Sequence, residues 1–549
     1  MAKLPKLLFL ILAVAAIFRF VGLTTSPPAL NWDEVSIGYN AYSILKTGKD
    51  EWGKFIPLSF KAFGEEKLPG MIYASIPGIA IFGENDLGVR VTPAMIGLLS
   101  VLALYFLGKE LFGKSAYGLV AASLLAVSPW GVHFSRASFE AGLAMLFTIL
   151  SVYWLVKSQK NTVYLWLAML AAVLGAYTYN SVRILLPLMI FVYLLFRVAP
   201  LNKFRKSTLM VLATGIILCL PIVLELASPA GRVRLGTVAI TTQKGFYDSV
   251  SESRGYMLPL LGNTLSTVIQ NKYTHYAHTF FMNYVATFST EFLFLKGSAN
   301  TERSVQGLGL LYLFELPLLA AGFFALKKQR PGVARILLPW LLLAPIPSAI
   351  TTDAPSSVRA LGILPALLLV EAAGFISLLP WLRSRKLIAA VATLFVVWNI
   401  GYFSYKLWME YPVKYSTDWQ WGYKQAVAFA ARYYPTASHI YLTNAYGEPY
   451  IYVLFYTHFD PAKYQQGPVR RIVDPTGWVH VDSFDKYVFT SFGGIETPTE
   501  LVARHAGQLV MIDDFATLPG MMSRDLVVQA PNWRVMFEGT IQQGALKQE

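Results

Sequence analysis

Eleven apolar runs, each near the roughly 20 residues that a helix needs to cross a bilayer, constrain this chain more than any other feature. They occupy residues 7–23, 89–108, 117–135, 138–157, 162–179, 182–197, 208–226, 307–326, 334–351, 358–381 and 387–407. A soluble protein would carry about 25% charged residues. This chain carries 14%, against 55% hydrophobic residues and a mean hydropathy of +0.47. Disorder, a soluble enzyme and a repeat solenoid are excluded together. The reading is an α-helical polytopic membrane protein with about 11 transmembrane helices. The first run, LLFLILAVAAIFRFVGL, follows Lys3 and Lys6 but lacks a small-x-small cleavage site, so it reads as an uncleaved first helix rather than a signal peptide. No internal repeat is visible.

The formal net charge of +14 could signal nucleic acid or a membrane surface, and its placement decides. With the N-terminus in the cytoplasm and the helices alternating, the inner segments hold 17 Lys and Arg, among them Lys109, Lys114, Arg197, Lys203, Lys327, Arg330 and Arg385, against one acid, Glu110. Positive-inside topology absorbs the whole surplus and leaves no basic face for nucleic acid. Residues 1–411 then form a membrane region with outer loops 24–88 and 227–306, and 412–549 a small extracytoplasmic domain. SHIYLTN, YIYVLFY, KYVFTSF and GQLVMIDD read as short strands behind a helical GYKQAVAFAARYY, an α/β or α+β pattern. Its aromatics suit a packed core first, with sugar binding or contact with the bilayer as the functional alternatives. The single cysteine, Cys219, lies in an apolar run, which excludes disulfides and thiolate metal sites.

Ionisable residues at membrane depth are costly and mark function by default. Here they gather at the outer helix ends. Asp33 and Glu34 follow the first helix. Arg136 and Glu140 bracket the turn between the third and fourth, Arg183 follows the fifth, and Arg359 opens the tenth. Lipid headgroups would explain each arginine singly. Several converging with carboxylates on one outward-opening cleft make a site. In the first outer loop Glu66 and Lys67 precede Pro69, and the apolar, Gly- and Pro-broken stretch beyond suits an amphipathic interfacial helix. His275 and His278, three apart, fit one helical face. Aromatic packing is their default use, and a divalent ion shared with Glu66 is the minority reading. No cofactor is required.

The Asp-Glu pair after the first helix, the Glu-Lys-x-Pro element at Glu66 and Lys67, and the R-x-x-x-E turn from Arg136 to Glu140 resemble the GT-C glycosyltransferases. The likeness is to the bacterial protein O-mannosyltransferase and aminoarabinose lipid A transferase group. DLGVRVTPAMIG, YNSVRILLP, FLFLKGSANTERSVQGLGLLYLFELPLLAAGFF and SSVRALGILPALLL extend it over most of the membrane region. The resemblance implies transfer of a sugar from a polyprenyl-phosphate carrier on the outer face to a protein, lipid or glycan hydroxyl. It carries Asp33, Glu66, Lys67 and Glu140 by motif, with Arg183 and Arg359 alongside. Relatives often have aspartate where this chain has Glu140.

The chemistry leads to the same set. Glycosyl transfer needs a base for the acceptor hydroxyl and cations where charge develops on the departing phosphate. A glycosidase would instead oppose an acid to a carboxylate, with no cationic cradle. Asp33 is the expected base and Glu140 a second carboxylate. Lys67, Arg183 and Arg359 are phosphate ligands, Glu34, Glu66 and Arg136 lie in the substrate site, and Glu34 also caps or orients its neighbours. A lipid-linked glycan polymerase or ligase shares these features and is the nearest rival. A flippase would want internal repeats and polar groups at the midplane, and a non-catalytic scaffold would leave the outer charges without a use.

Overall fold

The computed structural model describes residues 5–63, 65–196, 205–227, 238–242, 245–329, 331–474, 478–490, 497–514 and 523–544. Arg197, Lys203 and Arg330 of the inner segments, and Ser491 and Phe492 of KYVFTSF, lie outside them. The chain divides into two compact units. The first comprises 1–19, 95–135 and 139–403, and the second 20–94, 136–138 and 404–549.

Among the described residues six helices are long and apolar enough to cross a membrane: Asp86–Phe112, Glu140–Lys157, Lys206–Glu225, Pro331–Ala349, Ser357–Ser384 and Lys386–Lys414. Only 11% of the apolar window of Lys206–Glu225, and of Lys386–Lys414, is buried, with Ile216 and Leu394 bare. Apolar helices left this open need lipid rather than water around them. The other expected runs fold as shorter pieces. The first is helix α1, Lys6–Phe20. Run 117–135 breaks at Ser128 into α5, Ser115–Val127, and α6, Pro129–His133, because Ser128 caps a new helix and Pro129 starts it. Run 307–326 becomes helical only from Glu315.

Between α1 and the first long span, local chemistry sets each element. Helix α2, Trp32–Thr47, opens on a capping box in which Asn31 Oδ1 accepts from the Glu34 amide at 3.0 Å and the Glu34 carboxylate accepts from the Asn31 amide at 3.4 Å. It closes at Gly48, whose φ of 70° suits glycine. A hairpin, β1 at Phe60–Ala62 and β2 at Glu65–Lys67, sets Lys67 opposite Phe60. Pro69 then starts α3, Pro69–Phe82, a helix where one was expected in this loop, but its sequence PGMIYASIPGIAIF is apolar on every side rather than amphipathic. Helix α4, Asp86–Phe112, follows. Beyond α6 come α7, Glu140–Lys157, α8, Val163–Ala176, α9, Asn180–Phe196, and α10, Arg205–Ala227.

Glycines let helices of the first unit cross closely. A Cβ on Gly374 would stand 1.9 Å from Leu318 O, and one on Gly322 2.1 Å from Val370 O, where Leu364–Ser384 crosses Glu315–Gln329. A Cβ on Gly118 would likewise stand 2.2 Å from Tyr105 O. Small residues at membrane helix crossings trade side chain for backbone approach.

In the second unit, the C-terminal residues form a mixed seven-stranded sheet in the order β4-β5-β6-β3-β7-β9-β8. The strands are β3 Ala437–Leu442, β4 Val469–Val473, β5 Val479–Phe484, β6 Tyr487–Phe489, β7 Gln508–Asp514, β8 Leu526–Gln529 and β9 Val535–Gln543. Only the pairings of β3 with β6 and β7 are parallel. GYKQAVAFAARYY forms the expected helix, Tyr423–Tyr433. YIYVLFY does not form a strand. It is helix Pro449–Tyr456, started by Pro449 and buried from Pro449 to Phe455. A run buried on every side carries no periodicity to separate helix from strand.

Gly374→Val should lower the thermal stability of the detergent-solubilised protein by about 1–3 kcal/mol, the usual cost of overpacking. Gly332→Ala, at a helical position with open space around it, should cause no loss. Equal melting of the two variants would contradict the close crossing.

Candidate active site

Asp33 stands in the first turn of α2, where the amide ends favour an anion. Its carboxylate takes a 2.5 Å contact from Lys67 Nζ, and the two differ sharply in exposure, 48% for Asp33 and 3% for Lys67. The ammonium sits 5.4 Å from the centre of the Phe63 ring, an aromatic face that favours a cation. Strand alternation turns Glu66 the other way from Lys67, and Glu66 Oε2 accepts from Ser59 Oγ at 2.5 Å.

Glu34 has a different environment. Its Oε1 accepts from Arg90 Nε at 3.1 Å and from the Ser138 amide at 3.1 Å, and its Oε2 from Arg90 Nη2 at 2.9 Å. Arg90 also donates to the carbonyls of Leu23, Pro27 and Ala29. The pair is buried, 0% and 2% exposed, and fastens the start of α4 to the segment leading into α2. Arg136, equally buried, donates to the carbonyls of Val21, Gly22 and Ser26 just beyond α1. Both arginines supply donors to backbone that has left helical pairing.

Glu140, Arg183 and Arg359 belong to the first unit. Glu140 is the first residue of α7 and half-buried. Arg183, in the first turn of α9, donates to Ala176 O at 3.0 Å and pairs with Glu225 at 3.4 Å. It also lines a cavity of about 530 Å³ between α8, α9 and α10, whose other walls, including Leu165, Met169, Leu186, Ile190, Ile216 and Cys219, are almost wholly apolar. Arg359 pairs with Asp353, which also takes Arg303 Nη1 at 2.7 Å. Burial would raise the Asp353 carboxyl, but the hydrogen bond and charge of Arg359, followed by those of Arg303, outweigh it and hold it at about 2.

His275 Nε2 lies 3.0 Å from Gln270 Oε1 and its ring meets Phe246 edge-on. Among the described residues no group of three or more His, Cys, Asp or Glu is placed to hold a metal ion. Sequence reasoning passed over Arg90, Arg303 and Asp353. Each had a signal: a charge at the threshold of an apolar run requires a partner, and both arginines lie in the segments that carried the resemblance.

The fold and these charges define a helical membrane protein with a sheet-bearing C-terminal region. Residues 69–224 match the family described as dolichyl-phosphate-mannose-protein mannosyltransferase. Over 214 residues the chain is 26% identical to "Putative mannosyltransferase YycA" of Bacillus subtilis (strain 168), covering 38% of this chain and 31% of that protein. Over 194 residues it is 31% identical to an uncharacterized protein of Aquifex aeolicus (strain VF5), covering 32% and 38%. The matched segment thus spans about a third of the length of these curated relatives. Among solved structures, ArnT from Cupriavidus metallidurans bound to undecaprenyl phosphate shares the fold over 99% of both chains, with a TM-score of 0.56 at 14% identity. The Archaeoglobus fulgidus oligosaccharyltransferase in complex with Zn and sulfate covers 82% of this chain and 61% of its own, with a TM-score of 0.50 at 13% identity.

Breaking the buried pair with Arg90→Met should cost about 3–5 kcal/mol of stability, because Glu34 is left charged and uncompensated. Adding Glu34→Gln should restore part of it. A double variant that melts no higher than Arg90→Met would refute the pairing as the reason.

Asp353 has a lower pKa folded than unfolded, so its contribution to stability is complete above about pH 4 and vanishes as pH falls through about 2. The melting difference between wild type and Asp353→Asn should therefore stay level from pH 5 to 7 and shrink below pH 4. A difference that grows on acidification would reverse the assignment.

Proposed function

We propose that this protein is a membrane glycosyltransferase that moves a sugar from a polyprenyl-phosphate donor to an acceptor hydroxyl on the extracytoplasmic face, inverting the anomeric centre. The observation that carries the reading is the Asp33–Lys67 couple: a half-exposed carboxylate at a helix N-terminus, held by a buried ammonium. Asp33 takes the acceptor proton as the hydroxyl oxygen bonds to the anomeric carbon. The carbon–oxygen bond to phosphate breaks, and its electron pair leaves on the phosphate. Lys67, beside Asp33, supplies positive charge to that phosphate, where preorganised donors contribute most, and Arg183 and Arg359 are the first unit's own candidate ligands for a lipid phosphate. Glu140 is the first unit's candidate for positioning the sugar or the acceptor, and the chemistry requires no metal.

The cavity beside Arg183 supports a lipid carrier. Apolar walls suit an isoprenoid chain, and one guanidinium in the lining suits its phosphate. The family match and the fold shared with ArnT support the same donor class. Lys and Arg placement supports an inward N-terminus and an outward C-terminal domain. The acceptor could be a protein, a lipid or a glycan by this chemistry alone.

Asp33→Asn keeps size and hydrogen bonding and removes basicity. With radiolabelled polyprenyl-phosphate sugars and a panel of acceptors, it should bind donor nearly normally and lose turnover by roughly 10²–10⁴-fold. Near-wild-type turnover, or a product that keeps the donor's anomeric configuration, would reject the mechanism. Arg359→Ala should weaken donor use by about 2–4 kcal/mol, and Arg359→Lys should recover only part, since an ammonium lacks the guanidinium fork.

A further inference from the structure

A second cavity, of about 530 Å³, lies wholly within the second unit and has no part in the chemistry above. It is lined by Trp32, the loop Asn444–Pro449, Trp478, His480 and Val481. The volume falls in the roughly 300–1,000 Å³ range of small-ligand pockets. Trp32 is the residue before Asp33, so one wall of this cavity and the half-exposed carboxylate belong to the same helical turn.

The walls are tied together. Gln420 Oε1 accepts from the Trp32 amide at 2.9 Å and from Tyr452 Oη at 2.8 Å, while Gln420 Nε2 donates to Tyr446 O at 2.7 Å. Gly447 lies at φ 125°, and a Cβ there would stand 2.1 Å from the Trp32 ring, so the loop backbone rests directly on the indole. Also in the lining, the Trp478 and His480 rings lie 6.5 Å apart and 25° from parallel. His480 Nδ1 is 2.8 Å from Glu448 Oε1, a carboxylate 6% exposed, and Nε2 is 3.6 Å from Asp474. These contacts fix the imidazole while leaving it 43% exposed.

The lining therefore offers aromatic faces, a buried carboxylate, an imidazole and the Asn444 amide, with no Lys or Arg among its described residues. An anionic headgroup would want cations there. An acyl chain would want no polar groups. A pyranose, with apolar C–H faces and a rim of hydroxyls, matches both kinds of wall. We infer that this cavity is a sugar-binding subsite that holds the acceptor, so that the acceptor class is a glycan or glycolipid whose hydroxyl is presented to Asp33. This rests on the transferase reading of Asp33, but binding of a sugar in the cavity does not.

The full-length protein in nanodiscs, without donor, is titrated with methyl α-D-mannopyranoside, methyl β-D-glucopyranoside and N,N′-diacetylchitobiose, and binding is read by saturation-transfer NMR. Wild type should bind at least one of them saturably. Trp478→Ala should weaken that binding by about tenfold or more, Trp478→Phe should retain part, and all variants should melt like wild type. If Trp478→Ala fails to fold, His480→Ala carries the same comparison. Absence of binding by wild type to all three, or binding that neither substitution weakens, would overturn the subsite. Because no turnover is measured, these results stand apart from the Asp33→Asn assay. A sugar-binding protein whose Asp33→Asn variant still transfers would lose the base, not the subsite.

Discussion

The buried ion pair between Glu34 and Arg90 is the interaction on which the candidate site depends. A guanidinium and a carboxylate withdrawn from water are tolerable only when nearly every donor and acceptor is used. Here the carboxylate takes four donors, and the guanidinium adds three backbone carbonyls to its bidentate fork. That bookkeeping leaves α2 one position at which to begin. Asp33, one residue earlier, inherits its position from Glu34. Of the two acids that follow the first helix, one is committed to the frame, and the other is left half-exposed beside Lys67.

Arginines in this chain serve backbone more than the sequence suggests. An arginine near an apolar run reads as an anion ligand, because cost implies function. Yet Arg90 and Arg136 donate to carbonyls of residues 21–29, and Arg19, also fully buried, donates to Ala15, Leu125 and Ala126. Where helices end near hydrocarbon, no water is at hand for the last carbonyls, and one guanidinium can serve several. Arg183 does both, taking Ala176 O and a carboxylate while facing an apolar cavity. Arg359 and Arg303 are different again, since they share the charge of Asp353.

Legibility in the sequence follows from locality. The capping box of α2, the Pro69 start of α3 and the strand at GQLVMIDD rest on neighbours in the chain, and each is where the residues place it. The membrane character was legible from composition alone, but the eleven runs were not eleven helices, because Ser128–Pro129 and the segment before Glu315 interrupt apolar stretches that hydropathy joins. At the site, Asp33 and Lys67 were legible as chemistry, though their contact joins residues 34 apart and needs the β1–β2 hairpin, which no apolar pattern announces. Trp32 and Gln420 were not legible at all. An aromatic in an aromatic-rich chain carries no signal, and the hydrogen bond that gives Gln420 its role spans 388 residues.

The same geometry suggests how substrate preference can vary without disturbing the reacting group. Asp33 is fixed by a cap and an ion pair that involve no residue beyond 138. The rest of the aromatic cavity comes from the 444–449 loop and the β5 segment, whose substitution touches neither interaction. Gly447 is bound to the frame because its backbone lies on the Trp32 ring at a φ that side chains rarely adopt, and Tyr446 is bound to it through Gln420. A pocket with one rigid wall and another borne on a loop can change its ligand by changing the loop. The base meanwhile stays where the Glu34–Arg90 pair holds it.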